Sequence, residues 1–482
     1  METFPAVCLS YANKRTIVAF GISLQLLWNS CLNVIISNYD ILPTAMVKLK
    51  RFDILFNNPE RAYFAGQEIT GKIVLELAEE KLISEILLEL KGRAKTYWTK
   101  HSGKSRSHAS QNENFFSEQI NTNFTHAYDH RMATDGKSIE RVIPAGVHEI
   151  PFSYTLPKNL PTSFEGEFGF VRYTCRVILE RPWDFDIVCY CAFTVIGIED
   201  INCDTEALSP AVASDSNYNV TFCCRKQGTI NVELSLSRTG YTPGETILVN
   251  GVINNQSQRP IKGSSVQLKQ KVNYRAKTFS GTEHLKTVSR LIEKREKGEI
   301  PAHSEFRWVD EKIVLPSLTP RLSRCGIIDV TYVLELEADS AVCVQLPVIV
   351  GSIPRLSDII EKAAAASALK VTNPLTKSII TSANGDDSRV RVMITDEAGR
   401  TVVDNEGHKI EDSDILSTEV EILIQNKKRV RMPSSVLSEL YPSLPSPYYR
   451  ESYFGSVDIS DEKETVQFGS PKFAPKYPFY TD

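Results

Sequence analysis

One block of this sequence occurs twice, and a duplicated unit sets how many domains the chain can build. Tyr63-Phe-Ala-Gly66-Gln-Glu68-Ile69 is answered by Tyr241-Thr-Pro-Gly244-Glu245-Thr-Ile247, each a turn feeding a strand, with a glycine free to take positive φ. Leu156-Pro157 precedes Val171-Arg-Tyr173-Thr-Cys-Arg-Val-Ile-Leu179-Glu180, and Leu315-Pro316 precedes Val330-Thr-Tyr332-Val-Leu-Glu-Leu336. From Pro157 to Tyr173 and from Pro316 to Tyr332 the offset is 16 residues in both cases.

The repeat is written in strand periodicity. Ile73, Leu75 and Leu77 alternate with Val74 and Glu76, and Ile86, Leu88 and Leu90 continue the pattern. Ile230, Val232, Leu234 and Leu236 face one side while Asn231, Glu233, Ser235 and Ser237 face the other. Val330, Tyr332, Leu334 and Leu336 repeat that arrangement. Period two with one polar face describes antiparallel sheets buried on one side, and two such sheets hide their apolar faces by packing together. The expected fold class is all-β: two tandem immunoglobulin-like β-sandwiches, residues 46–203 and 220–354, each with its own apolar interior, joined by a polar linker over 204–219.

The ends differ from this body. Residues 1–45 read as an extension outside the folded protein. Lys14 and Arg15 precede a mostly apolar run from Ile17 to Ile36 with the charge order of a signal anchor, but Ser23, Gln25, Asn29, Ser30 and Asn33 interrupt it at a cost in hydrocarbon. After Ile353-Pro354, Ser357 is placed to cap an Ala-rich helix over 358–369. Residues 371–482 hold 13 Lys and Arg against 18 Asp and Glu, so this stretch carries −5 of the chain's net −4 and the remainder +1. Rich in Ser, Asp, Glu and Pro, it is expected to be a disordered tail with transient strands near Val390–Ile394 and Val420–Ile424.

Composition excludes several functions. Near-balance of charge in 482 residues argues against nucleic-acid binding. The 10 cysteines are scattered with no C-x-x-C pair, which favours free thiols in a reducing compartment and no zinc. Gly136-Lys137-Ser138 lacks the first glycine of a phosphate loop, Arg131 standing in its place, and His126 and His130 lie in an Asn/Thr-rich loop where plain surface histidines are expected. The sequons at Asn123, Asn219 and Asn255 are taken as chance in such a compartment. No catalytic constellation is found and no cofactor is implied; the expectation is a binding protein.

Two features suggest what it binds. Arg93, Lys95, Lys100, Lys104 and Arg106 follow one another with no acid between, and Lys262, Lys269, Lys271, Arg275 and Lys277 do the same in the second unit. Such clusters suit anionic lipid headgroups or phosphorylated peptides through charge-assisted contacts; an ordinary solvated face fits them equally. In the tail, Tyr441-Pro442-Ser-Leu-Pro445-Ser446-Pro447-Tyr448-Tyr449 is biased toward polyproline II, the form that docks aromatic grooves. WW domains take a Pro-Pro-x-Tyr core, and here Ser446 replaces the first proline, so Pro445, Ser446, Pro447, Tyr448 and Tyr449 are the candidate WW ligand.

Several longer runs resemble the arrestin-domain-containing proteins, the alpha-arrestin family. They are Ile143-Pro-Ala-Gly146-Val-His148-Glu-Ile-Pro151-Phe152, Leu160-Pro161-Thr-Ser-Phe164-Glu165-Gly166-Glu-Phe168-Gly-Phe-Val171-Arg172-Tyr173 and Arg181-Pro182-Trp183. In the second unit they are Cys223-Cys224, Gly240-Tyr241-Thr-Pro243-Gly244-Glu245, Ile253-Asn254-Asn255 and Val348-Ile-Val-Gly351-Ser-Ile353-Pro354. The ending Phe473-Ala-Pro475-Lys476-Tyr477-Pro478-Phe-Tyr480 also resembles the family's tails. The resemblance implies two arrestin-type sandwiches and a cytoplasmic adaptor, peripheral at the plasma membrane and endosomes. It further implies binding of membrane receptors or transporters and recruitment of WW-domain HECT ubiquitin ligases for ubiquitination and endocytosis. The rival expectations are a structural subunit of an endosomal sorting coat, in which the Pro-rich tail plays no part, and an enzyme or secreted binding module using a sandwich face.

Overall fold

The computed structural model describes residues 49–361 apart from 103–104, 129, 133–138, 183, 221–225 and 340–341, together with four short strands between 379 and 410 and most of 439–480. The extension 1–45 therefore lies outside the described residues, as do Cys223, Cys224 and Trp183. Among the described residues no helix is long and apolar enough to cross a membrane.

Alternation becomes burial. The four apolar sets that begin at Ile73, Ile86, Ile230 and Val330 are buried to the last member, each projecting from one side of an antiparallel strand. The first sandwich sets a three-stranded sheet (Leu49–Phe56, Glu68–Leu77, Gly146–Thr155) over Ser105–Asn121, Ile86–Ser102, Gly169–Leu179, Ile187–Ile196 and Ala62–Phe64, hydrogen-bonded in that order. The second sets a four-stranded sheet (Ala211–Val220, Lys226–Leu236, Thr246–Asn255, Ser304–Val314) over Gly240–Tyr241, Val342–Val350, Ile328–Ala338 and Ser264–Thr278, with Glu283–Lys297 paired to the last.

The repeat seen in the sequence is a repeat of function within the fold. Gly66 and Gly244 take φ values of 86° and 96°, where a side chain would be strained, and donate their N–H groups to Pro157 O (3.1 Å) and Leu315 O (2.9 Å). Each is preceded by a short strand that runs parallel to the last long strand of its sandwich, Tyr63 beside Val195 and Tyr241 beside Val350. The paired tyrosines also correspond: the Tyr173 hydroxyl donates to Pro161 O (2.6 Å) and the Tyr332 hydroxyl to Thr319 O (2.8 Å).

Three expectations are corrected. The two interiors are not separate. The strand Ser264–Thr278 pairs with Ser105–Asn121 through Lys277 opposite Ser110 and Thr278 opposite Ala109, which merges the facing sheets into one of twelve strands, and a single apolar cluster runs through both halves. The Phe164–Phe168 turn closes this seam: Phe168 meets Tyr274 edge-to-face at 5.9 Å, the Lys286 ammonium sits 3.3 Å from the Phe168 ring centre, and a Cβ on Gly166 would lie 2.2 Å from the Tyr274 hydroxyl. Glycine is required there by the close approach of the second domain.

The linker is shorter than 204–219. Thr205–Leu208 forms one helical turn capped by the Asp204 carboxylate, and Ala211–Val220 is already the edge strand of the second sandwich. Being an edge strand with polar residues on both faces, Ala211–Val220 carries no alternation to betray it. The tail expected to be loose, finally, has strands at its far end, described below. Of its expected local elements, Arg391–Ile394 is a strand, 356–361 is helical, and the stretch near Val420–Ile424 lies outside the described residues.

Cys175, Cys189, Cys191, Cys203, Cys325 and Cys343 are all free thiols, and burial pushes Cys189 up to about 12 and Cys325 up to about 11. Asn255 is fully buried, its amide nitrogen donating to Arg259 O (2.9 Å) and Pro301 O (3.0 Å); it is a structural asparagine.

Candidate functional site

The basic residues of the sequence fall on a sheet surface. Along Ile86–Ser102, Gly92, Ala94, Thr96 and Trp98 turn inward and are buried, so Arg93, Lys95 and Tyr97 turn outward. Along Ser264–Thr278, Leu268, Gln270, Val272, Tyr274 and Ala276 are buried, which places Lys269, Lys271, Arg275 and Lys277 outward. Tyr97 lies directly opposite Ser110, and Ser110 directly opposite Lys277. Residues directly opposite share a face, so both sets project from one side of the merged sheet, across the domain boundary.

Their charges are unequally available. Lys269 and Lys271 both approach the Glu335 carboxylate, at 2.5 and 3.7 Å, and Lys277 pairs with Glu283 at 3.1 Å. Arg275 donates to Gly326 O at 3.3 Å. Arg93 sits over the Phe170 ring, which Arg172 covers more closely at 3.8 Å, and Arg172 is itself clamped by both oxygens of Glu165. Lys262 is exposed and lies two residues before the second strand begins. Lys100 lies in the first strand, though its side chain is not described, and Lys104 falls outside the described residues. The result is an open patch in which Arg93 and Lys95 stand near the boundary, rather than a pocket. The expected surface setting of His126 holds: its Nε2 lies 3.1 Å from Glu85, which also binds Arg141 at 2.8 Å.

The Pro/Tyr motif is elsewhere and is not free. Pro447 is buried, and Tyr449, 5% exposed, packs among Ala62, Phe64 and Ile196 of the first domain and Ile353 of the second, with Tyr441 and Leu444 alongside. Ser446 and Tyr448 are half-buried, and Pro445 lies outside the described residues. The strand Tyr448–Glu451 pairs antiparallel with Lys476–Phe479, so the last residues of the chain hold the motif from its other side.

This hairpin of distant segments is fastened to both sandwiches. Tyr477, 1% exposed, donates its hydroxyl to Ser163 O of the first domain (3.0 Å) and receives one from Thr319 Oγ1 of the second (2.6 Å). Burial pushes the phenols of Tyr449 and Tyr477 well above the ordinary tyrosine range. Lys476 reaches Glu60 at 2.9 Å, and its N–H donates to Thr194 Oγ1 at 3.1 Å. On the second domain, the Tyr453 N–H donates to Ser317 O (2.8 Å) and the Ser317 hydroxyl to Arg450 O (2.9 Å). The Tyr441 hydroxyl donates to Asp200 in the interdomain connection at 2.8 Å. Between these contacts, Phe468–Gly469 lies parallel to Cys189 and Tyr190, while Ile459 and Phe473 bury against Ala192. The alternation Phe473, Pro475, Tyr477, Phe479, all buried, is the strand signal that could have revealed this docking.

Comparison with known proteins agrees with this architecture. Residues 52–202 match the family described as the arrestin (or S-antigen) N-terminal domain, and residues 226–355 match the arrestin (or S-antigen) C-terminal domain. Arrestin domain-containing protein 17 of Caenorhabditis elegans is 52% identical over 440 residues, covering 91% of this chain and all of that protein. Human arrestin domain-containing protein 4 is 26% identical over 313 residues, 64% of this chain and 72% of its own. Human thioredoxin-interacting protein is 22% identical over 315 residues, 64% of this chain and 76% of its own.

Proposed function

Since the chain belongs to the alpha-arrestin branch of the arrestin family, we propose that it is a cytoplasmic, non-enzymatic adaptor. Its sandwiches bind membrane receptors or transporters, and its C-terminal segment recruits a WW-domain HECT ubiquitin ligase, so that bound cargo is ubiquitinated, internalised and transported. The observation that carries the reading is the merged sheet, which presents Arg93, Lys95, Arg275 and Lys277 on one side across both domains. A surface of this kind suits an anionic membrane or a phosphorylated cargo tail, and because its lysines are partly paired its contacts are individually weak, ~0–1 kcal/mol each. Binding then depends on many contacts at once and falls with salt.

Pro447 and Tyr449 supply the ligase arm, the prolines entering one WW groove and the tyrosine a second. No bond chemistry belongs to this chain; transfer of ubiquitin is the ligase's. A peptide spanning residues 441–451 is expected to bind a WW domain and to lose binding on Tyr449→Ala, measured by fluorescence anisotropy. A peptide with no measurable affinity removes the ligase arm. The burial of Tyr449 favours one alternative, a structural cargo-binding subunit of an endosomal sorting coat, for which copurification with stable stoichiometric subunits is the discriminating result.

A further inference from the structure

We propose that the hairpin of Ser264–Thr278 and Glu283–Lys297 seats the protein on anionic lipid bilayers. Phe279, in its turn, enters the apolar side of the headgroup layer while the basic side chains beside it stay among the headgroups. The proposal rests on the reading of the basic face given above and narrows it to one partner, a membrane surface.

One face of the hairpin is turned to the protein itself. Val272, Tyr274 and Ile292 are buried there, the Lys286 ammonium covers the Phe168 ring, and Arg290 lies over the Phe454 ring. The other face is open and mixes two chemistries. Leu285 is directly opposite Arg275 and Leu291 directly opposite Lys269, so both leucines share the basic side of the sheet, and both are exposed. Tyr97, stacked on His108, is exposed on the same side, two residues from Lys95. At the turn, two residues beyond Lys277, Phe279 is fully exposed. A lone apolar side chain on a surface needs no explanation, but apolar side chains interleaved with basic ones along one open face mark an interaction site.

The turn itself loses little on leaving water. The Thr278 N–H donates to Thr282 O (3.0 Å) and the Gly281 N–H to Thr278 O (2.9 Å), a closure that Gly281 permits at φ 82°. The hydroxyls of Thr278, Ser280 and Thr282 bond to one another in a chain, at 3.0 and 3.2 Å. Polar groups already bonded within the turn are cheaper to bring into an apolar layer than unpaired ones.

Charge and shape select the partner. A second copy of the chain would bring two basic faces together, and like charges repel. A phosphorylated peptide would meet the basic side chains but leave Phe279, Leu285 and Leu291 in water, and part of the Arg275 fork is already committed to Gly326 O. An anionic bilayer accepts both chemistries at once: its headgroups face Lys95, Arg275 and Lys277, and its acyl boundary takes the apolar side chains, as for other amphipathic interfacial elements.

The test is co-sedimentation of the full chain with phosphatidylcholine vesicles, with and without phosphatidylserine. It compares the unaltered chain, Phe279→Ser and a control, Phe185→Ser. Phe185 is also largely exposed, but it lies in the turn between Gly169–Leu179 and Ile187–Ile196, at the end of the first sandwich away from the seam. Both phenylalanines lie outside the core, so neither substitution disturbs folding. The unaltered chain is expected to bind only the vesicles that contain phosphatidylserine. Phe279→Ser is expected to bind them at least about tenfold more weakly, the effect of withholding one large apolar side chain from an apolar layer, and Phe185→Ser to bind like the unaltered chain. In a second measurement, tryptophan emission of Phe279→Trp is quenched by lipids brominated on the acyl chains, beyond the background of the unaltered chain. Equal binding of the unaltered chain and Phe279→Ser, an equal loss in both serine variants, or no added quenching overturns insertion while leaving the basic face as a membrane contact. No binding to anionic vesicles overturns the proposal; binding of a phosphoserine peptide, read by fluorescence anisotropy, would then keep the basic face as a cargo site, and its absence would end that reading too.

Discussion

Two tyrosines, Tyr173 and Tyr332, show how a repeat in sequence becomes a repeat of roles. Each lies on the central strand of its inner sheet and ties it to a loop carbonyl upstream, Pro161 or Thr319. Tyr332 also receives the Gln270 amide at 3.0 Å, so its hydroxyl has two buried partners to satisfy. Removing one member of a buried hydrogen bond costs the desolvation of whatever is left behind, about 1–3 kcal/mol. Tyr173→Phe and Tyr332→Phe are both expected to lower the urea midpoint by an amount in that range, with Tyr332→Phe the larger. Equal midpoints for wild type and Tyr332→Phe would remove the structural role assigned to the pair. The 16-residue offset made this correspondence legible in the sequence itself, because a tyrosine buried at a fixed distance from a turn needs a partner there.

At the scale of elements, the connection between the sandwiches is a polar knot rather than a loose strap. Arg321 from the second domain reaches Glu199 at 3.1 Å and Asp204 at 2.8 Å, and the Ser323 hydroxyl also bonds Glu199. The Arg321 guanidinium, by its hydrogen bond, holds the Asp204 carboxyl below the usual carboxylate range. A depressed folded-state pKa contributes stability that is complete above the unfolded value of about 3.9 and is lost as pH falls through the folded value. Wild type is accordingly expected to lose stability below about pH 4 more steeply than Asp204→Asn, as read by thermal unfolding across pH 2.5–6; parallel curves would contradict the assignment. Buried Glu165, pushed upward by desolvation, acts in the opposite direction and is common to both proteins, so the difference between the curves isolates Asp204. Alternation announced many strands of the shared core, but not the edge strand Ala211–Val220, where Ala211 and Ala213 pack against the core among polar neighbours and ladder bonds to Lys226–Leu236 complete the placement. Nor could local pattern announce the merging of the two sheets, since the pairing of Lys277 with Ser110 joins residues far apart in the chain.

For the whole molecule, the decisive element is the one whose composition disguised it. Averaged over 371–482, charge and polar residues point to disorder, and that average conceals the aromatic run from Phe473 to Tyr480 and the Tyr441–Tyr449 stretch it covers. Both motifs were visible as words; their mutual contact was not, because Tyr448–Glu451 and Lys476–Phe479 find each other only on a surface made by two domains. The basic patch was legible as clusters, while its continuity across the boundary and its partial neutralisation by Glu335 and Glu283 were set by sheet pairing. The account as a whole depends on the chain's end being seated on its own body. Zero-length carbodiimide cross-linking of the monomer, followed by peptide mapping, tests this directly, with the Lys72–Glu149 pair at 2.8 Å as an internal control. The account predicts that Lys476 is joined chiefly to Glu60, 2.9 Å away; recovery of the control pair while Lys476 is joined to scattered carboxylates and not to Glu60 would contradict it.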